Sequence, residues 1–166
     1  HNPEPLAKNL QELSKTVVQE SAHFGIAVDP DVDRLALVDE NGAMFGEEYT
    51  LVSVADYVLG KTKGDTVSNL SSSRALRDIT EKHGGQHHAS AVGEVNVVEK
   101  MKLVNAVIGG EGNGGVIYPE AHYGRDALVG IALFLTLLAR RKISCSGLRA
   151  GYPDYYMSKN KLLLDD

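Results

Sequence analysis

One cysteine, no tryptophan and few aromatic residues mark what this 166-residue chain does without. A single thiol, Cys145, excludes a disulfide framework and a cysteine-ligated metal cluster, and it suits a reducing, cytoplasmic setting. Long apolar runs are missing too. The longest, Ala127 to Ala139, falls well short of the roughly 20 residues a membrane span needs, so no membrane partner is expected. Positive charge is not in excess. The formal net charge of −5 argues against nucleic acid or an acidic membrane surface as partner. No signal-peptide pattern opens the chain. Nor does methionine: His1-Asn2-Pro3 reads as the middle of something longer.

What is present is ordinary for a folded globular chain. Apolar residues make up 43% and charged residues 23%, over a length sufficient for one domain and part of another. His1 to Pro5 reads as an extended lead-in, and Leu6 to His23 as an amphipathic helix that exits at Gly25. Two strands follow, 25–28 and 35–39. Asn41-Gly42 then signals a hairpin whose return is Ala43 to Phe45. Glu47 to Leu59 reads as a helix. After it, strands at 66–70, 86–91 and 104–108 alternate with helices at 74–83 and 94–103, with Ser73 as a candidate N-cap. Arg125 to Arg140 is a long helix, apolar nearly all round and so expected to be buried on most faces. A short helix over 143–150 leads to a segment with Pro153 and a new apolar run at Leu162-Leu163-Leu164. Alternating helices and strands imply an α/β fold, a layered sheet flanked by helices. Residues 1–46, one helix and a hairpin, seldom make a stable unit alone and read as the C-terminal remnant of a preceding, similar domain. The expected organisation is therefore 1–46, 47–150, and a linker over 151–166.

Chemistry concentrates in two places. Between the apolar runs Gly25-Ile26-Ala27-Val28 and Leu35-Ala36-Leu37-Val38 stands Asp29-Pro30-Asp31-Val32-Asp33-Arg34. In an extended turn, side chains at alternate positions face one way. Three carboxylates so placed repel one another unless a cation sits among them. Mg2+ is the natural occupant, a hard ion that takes oxygen ligands. A plain acidic turn would also favour Asp and Pro, but it has no need of two buried flanking strands. A calcium EF-hand is rejected, because Arg34 stands where its loop requires glycine. Two other readings remain: a haloacid-dehalogenase-type phosphatase with Asp29 as nucleophile and Asp31 as acid, and a non-catalytic metal-binding interaction module.

The second place is Gly109-Gly110-Glu111-Gly112-Asn113-Gly114-Gly115. It is expected to follow a strand as a loop that lets the backbone approach a ligand. It is not a nucleotide loop, since extended residues and Pro119 follow instead of a helix. Its carboxylate and carboxamide, Glu111 and Asn113, suit vicinal sugar hydroxyls, which both donate and accept. Other candidates are weaker. His87 and His88 point to opposite faces of a strand and read as surface histidines. His122 with Arg125 and Asp126 reads either as a phosphate site or as a helix-start network. Ser71-Ser72-Ser73 reads as a cap.

Together the two loops give a resemblance. The segment from Gly25 to Arg34 resembles the magnesium loop of the α-D-phosphohexomutases, the family of phosphoglucomutase, phosphomannomutase and phosphoglucosamine mutase. Gly110 to Gly115 resembles that family's sugar-specificity loop. The resemblance implies a four-domain enzyme in which a phosphoserine on domain 1 exchanges phosphate with the sugar through a bisphosphorylated intermediate. It implies that this chain covers the end of domain 2 and all of domain 3. The serine loop and the phosphate loop would lie in domains 1 and 4, and the stretch alone is expected to be inactive. Carried over, Asp29, Asp31 and Asp33 would hold Mg2+, Arg34 would orient phosphate or balance the acids, and Glu111 and Asn113 would bind sugar hydroxyls. Glu94 would sit close to the sugar. Three positions depart from the common pattern. Asn113 and Gly115 stand where many members have Ser and His, and Pro30 where many have Gly.

Overall fold

The computed structural model describes residues 5–157. The lead-in before Pro5 and the run Leu162–Leu164 lie outside them. A 3-10 turn, Ala7–Asn9, precedes α1 (Gln11–Gln19), so the single helix expected over Leu6–His23 is shorter and broken. It does not exit at Gly25. Ser21 takes a left-handed conformation, φ 50°, and the Ala22 amide closes back onto the Val17 carbonyl at 2.9 Å. Gly25 instead lies inside β1 (Phe24–Val28), where a Cβ would stand 2.7 Å from the Val17 side chain of α1.

β1 pairs antiparallel with β2 (Leu35–Asp39), from Phe24↔Asp39 to Val28↔Leu35. The Asp39 carboxylate accepts from the Asn41 and Ala43 amides at 2.9 Å each, which fixes the Asn41-Gly42 turn. The return is limited to one bridge, Val38↔Met44, with the Phe45 amide on the Leu37 carbonyl at 2.9 Å. Then come α2 (Glu47–Leu59), β3 (Thr66–Asn69), α3 (Ala75–Lys82), β4 (His87–Ser90) and α4 (Glu94–Val104). They are followed by β5 (Ile108–Glu111), β6 (Gly115–Ile117), α5 (Ala127–Arg141) and α6 (Cys145–Ala150). The sheet order is β4-β3-β5-β6, with β6 antiparallel to β5 and the rest parallel. This is the mixed sheet flanked by helices that the alternation implied.

The two sheet faces carry separate cores, because adjacent strand residues point oppositely. Ile108 and Val116 face α2 and α5, whereas Val67 and Ile117 meet Val97 and Met101 of α4. Leu35, Leu37 and Phe45 join the α2/α5 core. Phe134 of α5 takes Phe24 and Phe45 edge-on, at 5.9 and 5.2 Å between ring centroids. The hairpin that carries the acidic loop is thus packed into the same body as the sheet.

Two sequence expectations give way here. α4 runs through Val104 and ends at Asn105, in a left-handed conformation, so the strand expected over 104–108 begins only at Ile108. It continues through Gly109 and Gly110 to Glu111, and the tight turn occupies only the residues that follow. α5 buries a single stripe, Ala127, Gly130, Phe134 and Leu137, while Leu128 is 64% exposed, so it is not buried on most faces. Its apolar composition does not determine what covers each side.

A polar clasp also fastens the hairpin. Glu40 accepts from the Ser146 hydroxyl at 2.5 Å and from the Ser146 amide at 3.1 Å, both at the start of α6. Burial opposes charge on Glu40, but these hydrogen bonds outweigh it and hold the carboxyl down at about 2. A lowered value means stability present above about pH 4.5 and lost as pH falls toward 2. Glu40→Gln should cost about 1–2 kcal/mol at pH 7 and flatten the acid limb of the unfolding midpoint. Urea unfolding at pH 7 and pH 3 checks it; an unchanged pH 7 midpoint would mean that the clasp contributes nothing.

Candidate functional site

The acidic loop is a compact turn rather than an extended one. The Val32 amide bonds the Asp29 carbonyl at 3.1 Å, and Val32 takes φ 59°, a strained conformation for a β-branched residue. The reversal at Val32, rather than strand alternation, gathers the carboxylates. One oxygen from each of Asp29, Asp31 and Asp33 lies within 4.8 Å of the others. The loop is fastened at both ends. The Ala127 amide at the start of α5 donates to the Val32 carbonyl at 3.0 Å, and Asp29 Oδ1 accepts the Asp33 and Arg34 amides at 3.1 and 3.0 Å.

The loop's electrostatics are unequal. Burial works against charge on Asp29, but the two amides and Arg34 outweigh it and lower its pKa. Asp33 is pushed up to about 6 by burial and by the carboxylates of Asp29 and Asp31, against the pull of Arg125. Asp33 Oδ1 is buried without a hydrogen-bond partner among the described residues. Three oxygen donors, one of them unsatisfied, in a turn already crowded with negative charge fit a hard divalent ion. Arg34 lies alongside, its Nε 3.5 Å from Asp29 Oδ2 and 3.8 Å from Asp33 Oδ1.

The glycine segment is a hairpin set against this loop. The Leu35 amide, immediately after the acidic turn, donates to the Gly114 carbonyl at 3.1 Å. Gly114 holds φ 92°, and a Cβ there would sit 2.4 Å from the Leu35 carbonyl oxygen, so only glycine allows this approach. Asn113 stands half-exposed at the tip, its Oδ1 accepting the Gly115 amide at 3.3 Å. Glu111 is buried, 5% exposed, and well partnered. It takes Asn69 Nδ2 at 2.6 Å, the Gly93 amide at 3.3 Å and Arg125 Nη1 at 2.7 Å.

Arg125 is the residue that the sequence did not single out as a centre. Its Nη2 pairs with Asp33 of the acidic loop and its Nη1 with Glu111. Its Nε reaches Glu94 Oε2 at 3.3 Å, and its amide bonds Glu94 Oε1 at 2.9 Å. Three carboxylates from three elements converge on one guanidinium, whose five donors suit such a task. Asp29, Asp31, Asp33, Arg34, Glu94 and Glu111 are therefore linked in one cluster, with Asn113 at the hairpin tip.

The minor candidates resolve as structure. His122 Nε2 pairs with Asp126 at 2.8 Å and Asp126 Oδ1 caps the Val129 amide at 2.9 Å, a helix-start network. Ser73 Oγ accepts the Ala75 amide at 3.1 Å, as a cap should, although the formal N-cap is Arg74. Ser72 adds a brace, donating to Asn69 Oδ1 at 3.0 Å and accepting the Gly112 amide at 3.1 Å. His87 and His88 do not read as plain surface histidines. His87 Nδ1 lies 3.0 Å from Thr66 Oγ1, and His88 Nε2 pairs with Asp65 at 3.1 Å. Burial, with Arg77 and His88 nearby, holds the His87 imidazole down at about 4.

Comparison with known proteins places this architecture among the α/β/α domains of sugar-phosphate mutases. The family model described as phosphoglucomutase/phosphomannomutase, alpha/beta/alpha domain III, matches residues 45–155, and the domain II model matches residues 1–42. The chain belongs to the phosphoglucomutase/phosphomannomutase family. It is 36% identical over 161 residues to a phosphoglucomutase/phosphomannomutase of Thermococcus kodakarensis, covering 96% of this chain and 35% of that protein. It is 36% identical over 154 residues to a probable phosphoglucosamine mutase of Methanosarcina acetivorans, covering 93% and 35%. A crystal structure of a putative phosphomannomutase from Thermus thermophilus superposes with a TM-score of 0.84 at 30% identity, over 90% of this chain and 35% of that one. The chain thus spans about a third of the length of the relatives it matches. Family membership leaves the haloacid-dehalogenase alternative without support. Among the described residues no helix is long and apolar enough to cross a membrane.

Proposed function

We propose that this stretch supplies two adjoining walls of a phosphohexomutase cleft. The whole protein interconverts hexose 1-phosphate and 6-phosphate, with a phosphoserine and a bisphosphorylated sugar on the path. The serine loop and the loop that holds the non-transferring phosphate would belong to domains 1 and 4, which would be this stretch's partners in the cleft. The observation that carries the reading is the Leu35–Gly114 backbone bond, which fixes the acidic turn against the glycine hairpin.

Asp29, Asp31 and Asp33 would hold Mg2+. The ion, when bound, supplies positive charge beside a transferring phosphoryl group. The chain's own residues do the remainder. Asp29, anchored by two amides, fixes the turn; Asp31, exposed, completes the donor set; Arg34 offers a guanidinium to phosphate oxygens. Asn113 at the hairpin tip presents a carboxamide to sugar hydroxyls, and Glu111 and Glu94 offer carboxylates that accept from those hydroxyls once their present partners yield. Mutase assays on the full-length protein with glucose, mannose and glucosamine 1-phosphates test this and rank the three sugars. Asp31→Asn, an exposed change that leaves the fold intact, should lower kcat at least about a hundredfold, and chelation should abolish turnover. Full activity in that variant would exclude the acidic loop from the chemistry.

A further inference from the structure

We infer that Arg125 is a positioning residue that acts as a built-in counter-charge for the acidic loop, and that a divalent cation displaces it from Asp33. Metal occupancy would thereby be linked to the carboxylates that face the sugar. The inference rests on the metal reading proposed above.

The geometry makes the competition explicit. Asp33 has one oxygen on Arg125 Nη2 and one, Oδ1, buried without a hydrogen-bond partner among the described residues, with Arg34 Nε 3.8 Å away. A cation drawing on Asp33 meets the guanidinium on the same carboxylate, and two positive charges cannot share it at full strength. The same guanidinium holds Glu111 through Nη1 and Glu94 through Nε. When the Asp33 contact loosens, the fork's remaining donors are left to those two carboxylates, so their positions change with occupancy. Such a link is reciprocal: whatever draws Glu111 away from Arg125 changes the cation's affinity by the same factor.

Gly115 gives a second observation of the bridge's course. A Cβ at Gly115 would stand 2.5 Å from Arg125 Cδ and 3.2 Å from its Cγ, so the arginine stem crosses directly over the glycine. A side chain there would push Arg125 off its path between the loops.

The sign of the effect separates this role from a merely structural one. Removing a residue that only holds the loop in shape would weaken cation binding. Removing an internal competitor strengthens it. Mn2+, titrated into the full-length protein and followed as free ion by electron paramagnetic resonance, should bind Arg125→Gln about three- to tenfold more tightly than the unaltered chain. Hydrogen exchange supplies the second readout. Mn2+ should change protection of the amides at 109–115 in the unaltered chain and leave them unmoved in Arg125→Gln. If Arg125→Gln fails to fold, Gly115→Ala displaces the stem and should tighten Mn2+ binding in the same direction. Binding that is unchanged or weaker in a folded variant overturns the inference alone. Absence of Mn2+ binding by the unaltered chain overturns the metal reading and the inference with it.

Discussion

Replacing Asp56 with alanine should remove about 2–3 kcal/mol of stability, the loss expected when a buried, charged acceptor of several hydrogen bonds is deleted and its arginine partner still reaches solvent. Asp56 lies on α2, is 4% exposed, and receives three donors. His83 Nε2 at the end of α3 is 2.7 Å from Oδ1, while Arg141 Nη2 at the end of α5 and the Tyr152 hydroxyl lie 2.6 and 2.9 Å from Oδ2. One carboxylate thus fastens α2, α3, α5 and the segment after α6. Burial works against its charge, but the bonds from His83, Arg141 and Tyr152 outweigh it and lower the pKa. The contribution is therefore intact above pH 3.8, the ordinary value, and vanishes only as pH falls through the lower folded value. Alanine leaves the buried tyrosine hydroxyl without its acceptor, while Arg141, whose side chain is 43% exposed, can turn to water. Urea unfolding of the variant at pH 7 measures the loss, and a value under about 1 kcal/mol would show the donors finding water instead.

The second large effect is expected at Gly110. A Cβ there would fall 2.0 Å from the Gly115 carbonyl oxygen across the β5–β6 pair and 3.2 Å from Leu51 of α2. The nearest obstacle is backbone within a ladder, so a rotamer change cannot relieve it. Gly110→Ala has to pry β6 from β5, and with it the turn that carries Gly112 to Gly114. A cost above about 3 kcal/mol follows from a forced shift of this kind. It should come with loss of protection at the Glu111 and Gly115 amides in hydrogen exchange. A variant within about 1 kcal/mol of the parent would mean that the strand yields cheaply, and that the hairpin's shape is less constrained than its packing implies.

These two residues illustrate what a sequence can and cannot reveal. Gly110 was visible, but as part of a loop, because glycine runs weaken strands. In the folded chain the run belongs to a strand so crowded by Met101, Val67 and Gly115 that only glycine fits. Short-range signals were legible: α2 begins and ends at Glu47 and Leu59 as its apolar face implied, and Asn41-Gly42 turns where it should. The acid trio was legible because its members are neighbours in sequence, although Val32's reversal, not strand alternation, brings them together. Arg125 was not legible as a hub, because its partners Asp33, Glu94 and Glu111 come from three separate elements. Its neighbours in sequence, His122 and Asp126, left a phosphate site and a helix start open, and the helix start is where those two belong.

The lone sulfhydryl offers a use of its own. Cys145 is 1% exposed at the first turn of α6, and burial together with Asp39 and Glu40 pushes its thiol up to about 12. A protonated, enclosed sulfur does not meet alkylating reagents. Any modification therefore reports the moment when α6 lifts away, the same helix that Ser146 ties to Glu40. The molecule carries a self-contained stopwatch for its own opening, readable by mass spectrometry without a dye or an engineered probe.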